Sequence, residues 1–384
     1  MSDGGGNTGQ GWWPPLLLLP VAVGLVYFNS LAGAFQFDDY QVIVDYAPVH
    51  SLAAWLADLP GGIRPLLKLT YTLNWLMGPG PLGFHLVNMA IHAANTLLLY
   101  FIFLALGGDR EPLPTGRRIA LAAALLFAVH PVLSEAVTYI SGRSASLMTF
   151  FYLASLLLYL RGTEQSTVGN KLGGRLLLYL FSPLLFILAS AAKETAVTLP
   201  FALILVEWVR PGRPGIWIIL RRQAVHWLLL AGLLLALVLH PRHGPLLAYS
   251  FDLRTPATNL LAQVDGVSYL LSRLVAVTAL NIDPDLLVPT GWSWAAAGRA
   301  SGLAWLLLAG FLLLRRAPLA GFGLLWFFLH LIPTNSLVPR LDLVNERQLY
   351  PAAAGIFLAL TVAGVRLHGK NYLPDALRCR WFRS

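Results

Sequence analysis

Long apolar runs separated by short polar segments fill most of the chain, and they predict membrane-spanning helices. A span needs about 20 apolar residues to cross the hydrocarbon core of a bilayer. Most of the runs are apolar all round, not along one stripe, which is typical of helices in lipid. The predicted spans are roughly 15–34, 83–106, 119–135, 144–161, 175–192, 195–210, 223–240, 302–314, 318–333 and 348–366.

One further stretch, 256–281, is apolar but carries Asp265, Arg273 and several Ser and Thr residues. We interpret it as an interfacial or partly inserted helix. If it crosses the membrane, one of the other predicted spans does not, because both ends of the chain are expected on the same side. The predicted fold class is all-α: a polytopic integral membrane protein with about 10–11 transmembrane helices.

Composition supports this class, since 57% of the residues are hydrophobic and only 12% are charged, against roughly 25% charged in a soluble domain. Soluble enzymes, coiled coils and disordered regulators are excluded. The net charge of +9 does not predict a nucleic-acid partner, because the basic residues lie at helix ends and not in one patch. The expected partner is the lipid bilayer. A single cysteine, Cys379, excludes an intramolecular disulfide and a thiolate-rich zinc site.

Basic residues also predict the orientation. The short connections on one side and the C-terminal tail hold 17 of the 27 Lys and Arg residues, which places that side in the cytoplasm. No Lys or Arg precedes the first apolar run, so a retained helix is expected there and not a cleaved signal. The domains expected are an N-terminal tail, 1–14, a membrane domain, 15–366, and a basic tail, 367–384.

The opposite, external side has loops at about 35–82, 241–301 and 334–347, which hold most of the acidic residues. Loops on a rigid core are where binding and catalysis concentrate. Asp38 and Asp39, in the sequence FQFDDY, follow the first span. Burial would raise the pKa of such a carboxyl and make it a usable base. Alternatively, the two residues are a solvated pair that caps the next helix.

A second candidate group follows the third span, where Pro131 ends or kinks the helix. It comprises His130 and Glu135, with Arg143 eight residues further on. The group is either a site for acid–base chemistry or a capped turn in which Glu135 and Arg143 pair.

Two further candidates are basic. Lys193 and Glu194 form a short turn between predicted spans, where the lysine would contact a lipid phosphate or the two would form an interfacial ion pair. Arg347, before the last span and close to Tyr350, would bind a phosphate bidentately or snorkel at the interface.

The remaining candidates surround the second span. Arg64 precedes it, and His85, Asn88, His92 and Asn95 fall near one face of its helix. A polar stripe in a membrane helix packs inward. The two histidines lack further ligands at a suitable spacing, so no metal site is predicted.

Six segments in a fixed order carry a family resemblance. They are FQFDDYQVIV, RPLLKLTYTLNW, GFHLVNMAIHAANTLLLY, LFAVHPVLSEAVTYISGRSASLMTFFYLASLLLYL, AKETAVTLPFALILVEW and NERQLYPAAAG. Over roughly residues 25–365 the chain resembles the membrane part of the transmembrane and tetratricopeptide-repeat protein O-mannosyltransferases and their bacterial relatives, which are GT-C glycosyltransferases. Each segment alone is weak evidence, and six in order are fairly specific for the superfamily.

The resemblance implies transfer of a mannose-like hexose, with inversion, from a polyprenyl-phosphate donor to a hydroxyl acceptor on the external face. It assigns catalysis to Asp38, Asp39 and Glu135, donor phosphate binding to Arg143, Lys193 and Arg347, and the substrate pocket to Arg64, His85, His130, Glu194 and Tyr350. No obligatory metal or other cofactor is expected, because Arg and Lys side chains would hold the departing phosphate.

The sequence also departs from the family pattern. Ala145 stands where many animal relatives have an acid, and the tail after Arg366 is too short for one 34-residue repeat. The expected acceptor is therefore a protein, a lipid or a glycan. The small size and the abundance of Ala, Leu, Gly and Arg favour a bacterial inner membrane. The alternative is a non-catalytic transporter or scaffold for lipid-linked glycans, although a transporter would more often place ionisable groups at mid-membrane depth.

Overall fold

The structure, a computed structural model, describes residues 13–108, 111–212, 214–241 and 243–372. Most of the predicted tails, 1–14 and 367–384, and Cys379 lie outside these residues. The described chain contains no strand. Its α-helices are α1 (Trp13–Tyr27), α2 (Leu52–Asp58), α3 (Pro65–Met77), α4 (Pro81–Gly108), α5 (Leu113–Val129), α6 (Ser134–Thr138), α7 (Arg143–Val168), α8 (Lys171–Leu176), α9 (Ser182–Ala192), α10 (Leu199–Val209), α11 (Ile216–Arg222), α12 (Ala224–Leu239), α13 (His243–Leu253), α14 (Pro256–Arg273), α15 (Trp294–Arg316), α16 (Pro318–Leu331) and α17 (Leu349–Tyr372).

Among the described residues, six helical segments are long and apolar enough to cross a membrane. Two bent pairs raise the number to eight: α5 with 131–138, bent by 56°, and α11 with α12, bent by 67°. The first bend falls at Pro131, which lacks the N–H that would continue α5. The all-α polytopic membrane fold is therefore confirmed.

Fewer described helices are long and apolar enough to span a membrane than the predicted number of about ten. The predicted spans 195–210 and 318–333 form α10 and α16, of 11 and 14 residues. Both are shorter than the roughly 20 residues of a full span. The ambiguous stretch 256–281 forms α14 and the turn after it, and α14 is not among the helices apolar enough to cross.

Apolar side chains cover the outside of the bundle. On α12 and α15, large residues such as Leu235, Val238, Trp305 and Leu312 are more than half exposed. An apolar outer surface of this extent is unusual in a soluble monomer and is typical of a surface that contacts lipid.

Polar side chains of α4 lie inside the bundle, which confirms the predicted inward stripe. His85, Asn88, His92 and Asn95 are all buried. The two C-terminal members bind Tyr350 of α17: His92 Nδ1 lies 2.8 Å from the Tyr350 hydroxyl, and Asn95 Nδ2 donates to it at 3.0 Å. Tyr350 thus fastens α17 to α4.

Arg143, the first residue of α7, is fully buried. Its guanidinium donates to Asn88 Oδ1 at 2.6 Å, to Asn74 Oδ1 at 2.6 Å and to the carbonyl of Phe84 at 2.9 Å. It also lies over the ring of Tyr71, 4.9 Å from the centroid. A buried cation needs such a complete set of partners, and this set joins α7 to α3 and α4.

Helices α16 and α17 meet closely at two glycines. A side chain on Gly323 would strike the backbone of Gly355, and the reverse also holds. Small residues allow this kind of close approach between membrane helices. The indole of Trp326 adds a hydrogen bond to the carbonyl of Pro351 at 2.8 Å. This contact fixes the start of α17, where Arg347 lies just before the helix.

Arg143→Lys should destabilise the protein, because an ammonium cannot reproduce the planar fork that reaches three oxygens. We expect a loss of about 3 kcal/mol in the free energy of unfolding, measured by denaturation in detergent. The matched control is Arg175→Lys, at an exposed position, which should leave stability unchanged. Equal stability of the two variants would contradict the anchoring role of Arg143.

Candidate active site

Three connecting segments at one end of the bundle form a partition between two cavities. The segments are residues 38–39, 139–141 and 346–347. Each segment contributes to both cavities: Asp38, Ser141 and Arg347 line one, and Asp39, Tyr139 and Glu346 line the other. We call this end of the bundle the site end.

The first cavity, called the basic cavity, has a volume of about 290 Å³. Asp38 is the only acidic residue in its described lining, and Gln41, Tyr46, Tyr71 and Ser144 are among its other residues. Five basic side chains line it: Arg64, Lys68, Lys193, Arg340 and Arg347. Such a concentration of cations in one concavity attracts anions.

The second cavity, called the acidic cavity, also has a volume of about 290 Å³. Its described lining includes Asp39, Glu135 and Glu346, and it contains no Lys or Arg. His85 lines it too. Its ring nitrogens are buried close to the backbone of Gly33 and Thr138, and neither makes a well-aligned hydrogen bond among the described residues. The two cavities therefore carry opposite charge on either side of one thin partition.

Asp39 accepts more hydrogen bonds than the other carboxylates of the acidic cavity. It is buried, and both oxygens accept hydrogen bonds: Oδ1 from the N–H and hydroxyl of Ser141, and Oδ2 from the Gln36 N–H. Burial raises the pKa of Asp39, although these hydrogen bonds and the nearby His85 oppose the rise. The position of Asp39 ties the first loop to the segment before α7.

Asp38 has a different environment. Its side chain is 54% exposed, and its Oδ2 lies 3.8 Å from the Arg347 guanidinium. Its backbone N–H donates to the Tyr139 hydroxyl at 2.9 Å. The preceding residue, Phe37, has a φ of +45°, which is strained for a bulky side chain. The strained turn points Asp38 and Asp39 into different cavities.

Arg347 connects the acids of the two cavities. Its backbone N–H donates to Glu135 Oε2 at 2.6 Å, and its Nε lies 3.6 Å from Glu135 Oε1. The guanidinium also reaches Asp38, as described above. Asp38, Glu135 and Arg347 were predicted from separate parts of the sequence, and the structure brings them together.

Lys193 is buried in the wall of the basic cavity. Burial lowers the pKa of Lys193 well below its usual value, and the charges of Arg64, Arg347 and Arg340 lower it further. The next residue, Glu194, accepts from Arg64 through Nε and Nη2 at 2.9–3.2 Å. Burial alone would raise the pKa of Glu194, but Arg64 outweighs it and lowers the pKa to about 2.

Glu194 therefore orients Arg64, which has a left-handed φ of +54° at the start of α3. This backbone conformation and the bidentate ion pair with Glu194 direct the Arg64 guanidinium to the cavity. Three predicted basic or pocket residues, Arg64, Lys193 and Arg347, thus line the same cavity.

Four predicted residues line neither cavity: Glu194, which orients Arg64 as described above, and Arg143, Tyr350 and His130. Arg143, predicted to bind phosphate, is buried in its own set of oxygens, so it acts on the site through the backbone that it anchors. Tyr350, near the start of α17, is buried against α4. His130 accepts at Nδ1 from the Val132 N–H, and its Nε2 lies 3.1 Å from the carbonyl of Leu274, which makes it a capping residue.

Sequence reasoning missed Lys68, Arg340 and Glu346 as site residues. Lys68 lies one helical turn after Arg64, so the spacing alone could have placed both on one face of α3. Its Nζ contacts Asp58 at 2.6 Å and the Tyr46 hydroxyl at 2.9 Å. Arg340 lies in an irregular loop, where no periodicity indicates a direction.

Comparison with curated proteins confirms the resemblance drawn from the motifs. The chain is 33% identical to Protein O-mannosyl-transferase TMTC4 of Homo sapiens over 211 aligned residues, which cover 49% of this chain and 28% of that protein. It is 35% identical to Protein O-mannosyl-transferase F38B6.6 of Caenorhabditis elegans over 164 residues, which cover 38% of this chain and 23% of that protein.

A third relative, Protein O-mannosyl-transferase TMTC1 of Homo sapiens, is 34% identical over 199 residues, with 47% of this chain and 22% of that protein covered. The chain thus spans less than a third of the length of these relatives. No family model and no solved structure matches the chain.

Lys193→Met should change how stability depends on pH. The pKa of Lys193 in the folded protein lies below its value in the unfolded chain, so between the two values the unfolded chain binds more protons and stability rises with pH. Over this interval, which ends near the usual lysine pKa of about 10.4, the free energy of unfolding of the wild type should rise by up to about 1.4 kcal/mol per pH unit. The variant should lose that rise.

The control is Lys171→Met, at an exposed position, which should keep the wild-type dependence. Denaturation series of the three proteins at each pH measure the difference. Superimposable pH profiles of wild type and Lys193→Met would contradict a depressed pKa at Lys193.

Proposed function

We propose that the protein is a membrane glycosyltransferase that moves a mannose-like hexose from a polyprenyl-phosphate donor to a hydroxyl acceptor. The observation that carries the proposal is the basic cavity, with five cationic side chains around it and Asp38 at the partition. The relatives, named as protein O-mannosyl-transferases, support the same reaction class and favour a protein as the acceptor.

The basic cavity suits the phosphate of the donor. Arg side chains bind phosphate bidentately, and Lys acts as a point charge. Arg64 is already oriented by Glu194, and Arg347 by Glu135. No hydrogen bond to Lys193 Nζ is present in the described structure, so this amine is available to a ligand, and a bound phosphate would favour its protonated form. A phosphate there would also relieve the repulsion among the cations.

The transfer would proceed by direct displacement. Asp38 accepts the proton of the acceptor hydroxyl, the acceptor oxygen forms a bond to C1 of the sugar, and the bond between C1 and the phosphate oxygen breaks. The polyprenyl phosphate leaves with the electron pair of that bond, and the cavity cations stabilise its added negative charge. Attack opposite to the leaving group inverts the configuration at C1.

Neighbouring residues would position these groups. Arg347 lies 3.8 Å from Asp38 and 3.6 Å from Glu135, so it orients both carboxylates at the partition. Asp39, with three hydrogen bonds from Ser141 and Gln36, fixes the turn that carries Asp38. Because these cations supply the charge stabilisation, we propose that no metal or other cofactor is obligatory.

The membrane placement is part of the proposal. The connections at the end opposite the site hold most of the basic loop residues, so the positive-inside rule places the site end on the external face. For a bacterial protein this would be the periplasmic face of the inner membrane.

Transport or scaffolding of lipid-linked glycans is the alternative. Ionisable residues of a transport path are expected at mid-membrane depth inside the helices. Here the charged lining of the basic cavity comes from loops and helix termini at one end of the bundle, which favours chemistry at a surface.

Asp38→Asn tests the assignment of the base. Membranes that contain the protein are supplied with labelled polyprenyl-phosphate mannose or polyprenyl-phosphate glucose, with and without a chelator. The sugar transferred to proteins, lipids or glycans of these membranes is counted. The variant should lose at least about 100-fold in kcat, as removal of a general base does, while chelator should have no effect. Asp45→Asn, an exposed acid seven residues on, is the control and should turn over normally.

If Asp38→Asn turned over at the wild-type rate, another residue would be the base. Turnover abolished by the chelator would show a metal requirement. Absence of donor consumption by the wild type would contradict the transferase proposal and favour the transport alternative.

A further inference from the structure

The acidic cavity has no part in holding the donor phosphate, because its three carboxylates would repel an anion. Its described lining lacks Lys and Arg, whereas the basic cavity across the partition contains five of them. Two substrates that must meet at the partition would therefore be sorted by charge. The donor is the anionic substrate and belongs to the basic cavity.

Two of the three carboxylates of the acidic cavity, Asp39 and Glu346, have no cationic partner among the described residues. Asp39 receives only uncharged donors, from Ser141 and Gln36. Glu346 Oε1 accepts from the Tyr269 hydroxyl at 2.8 Å and from the Asn281 N–H at 3.0 Å, and Glu346 has no ion pair among the described residues. Glu135 Oε1 is buried without a hydrogen bond and lies 3.6 Å from Arg347.

His85 adds a second, independent indication of a ligand. Its side chain is buried in the cavity wall, and neither ring nitrogen makes a well-aligned hydrogen bond in the described structure, although the backbone of Gly33 and Thr138 lies close to the ring. Buried polar atoms in native proteins are paired with few exceptions. A hydroxyl or amide group in the cavity would provide the missing partner for both His85 and Glu135.

We propose that the acidic cavity is the acceptor subsite and that it selects a polypeptide segment in which the reacting Ser or Thr hydroxyl lies beside a cationic side chain. This inference rests on the proposed function. The volume of about 290 Å³ holds one or two side chains, so the acceptor enters as an extended segment and not as a folded surface. The cation would sit near Glu346 and Glu135. The hydroxyl would lie at the edge of the partition, where the Arg347 guanidinium is 3.6 Å from Glu135 and 3.8 Å from Asp38, and would approach Asp38 past that edge.

Global electrostatics predict the opposite preference. The chain carries a net charge of +9, so long-range attraction would favour acidic peptides. A preference for basic peptides would therefore report the local charge of the acidic cavity.

The experiment uses the full chain in an uncharged detergent, with polyprenyl-phosphate mannose and three peptides. Each peptide has one Thr, flanked by two Lys, two Gln or two Glu residues. We expect kcat/KM to fall in the order Lys, Gln, Glu, with about tenfold between the first two. The preference should act through KM and should shrink as the salt concentration rises, because the ions screen the interaction.

Glu346→Gln should reduce the ratio between the Lys and Glu peptides, since Gln keeps the Oε1 acceptor for Tyr269 and Asn281 but removes the charge. The control is Glu111→Gln. Glu111 precedes α5 and Glu135 follows it, so the helix places Glu111 at the opposite end of the bundle, and the ratio should be unchanged. The salt series on the wild type tests the same point without a variant.

Donor consumption, measured with and without each peptide, separates the two proposals. If the donor is never consumed, the proposed function fails. If the donor is consumed and the three peptides react equally, or the Glu peptide reacts best, the charge selection is overturned. Transfer to an amino-sugar glycan but not to any of the peptides would overturn the peptide as the acceptor class.

Discussion

The buried charge of Arg143 is the constraint on which the site depends. A cation enclosed among membrane helices must find oxygens, and it finds them on Asn88, Asn74 and the backbone of Phe84. Asn88 also donates to the carbonyls of Tyr139 and Ile140, at 3.3 and 3.4 Å. The segment before α7 is thereby fixed, and through Ser141 and Tyr139 it fixes the first loop. Arg143 thus determines the geometry of Asp38 and Asp39 indirectly, although it lines neither cavity.

The partition gives two adjacent acids different properties. Asp39 is enclosed and held by three hydrogen bonds, whereas Asp38 is half exposed beside Arg347. The enclosed acid stabilises the loop, and the exposed acid is accessible to a substrate. The turn that carries this division has a left-handed φ of +45° at Phe37. Glu346 and Arg347 repeat the arrangement, with neighbouring residues that face cavities of opposite charge.

The sequence allowed much of the fold and part of the site to be predicted. Apolar runs locate the long helices because the membrane demands them, and the polar stripe of α4 could only face inward. The proximity of Asp38, Glu135 and Arg347 follows from their position at the same helix ends. The directions of Arg143 and Tyr350 could not be predicted, because a charged or polar side chain at a helix end can reach a cavity or the core equally well. Arg340 and Glu346 were missed because the irregular loop before α17 has no period from which a direction follows.

The short helices α10 and α16 have a consequence for the depth of the site. They pack against each other and are largely buried, and helices of 11 and 14 residues rise only about 16 and 21 Å, against a hydrocarbon thickness of about 30 Å. Helices this short leave part of the hydrocarbon thickness to the connections at their ends, among them those that carry Lys193 and Arg340. Non-helical backbone at such depth is tolerated only where protein encloses it or water fills the space beside it. The bilayer thickness therefore favours a hydrated recess beside such a connection, and in the proposed reaction the carrier lipid would present its phosphate to the recess from the side, from within its own leaflet.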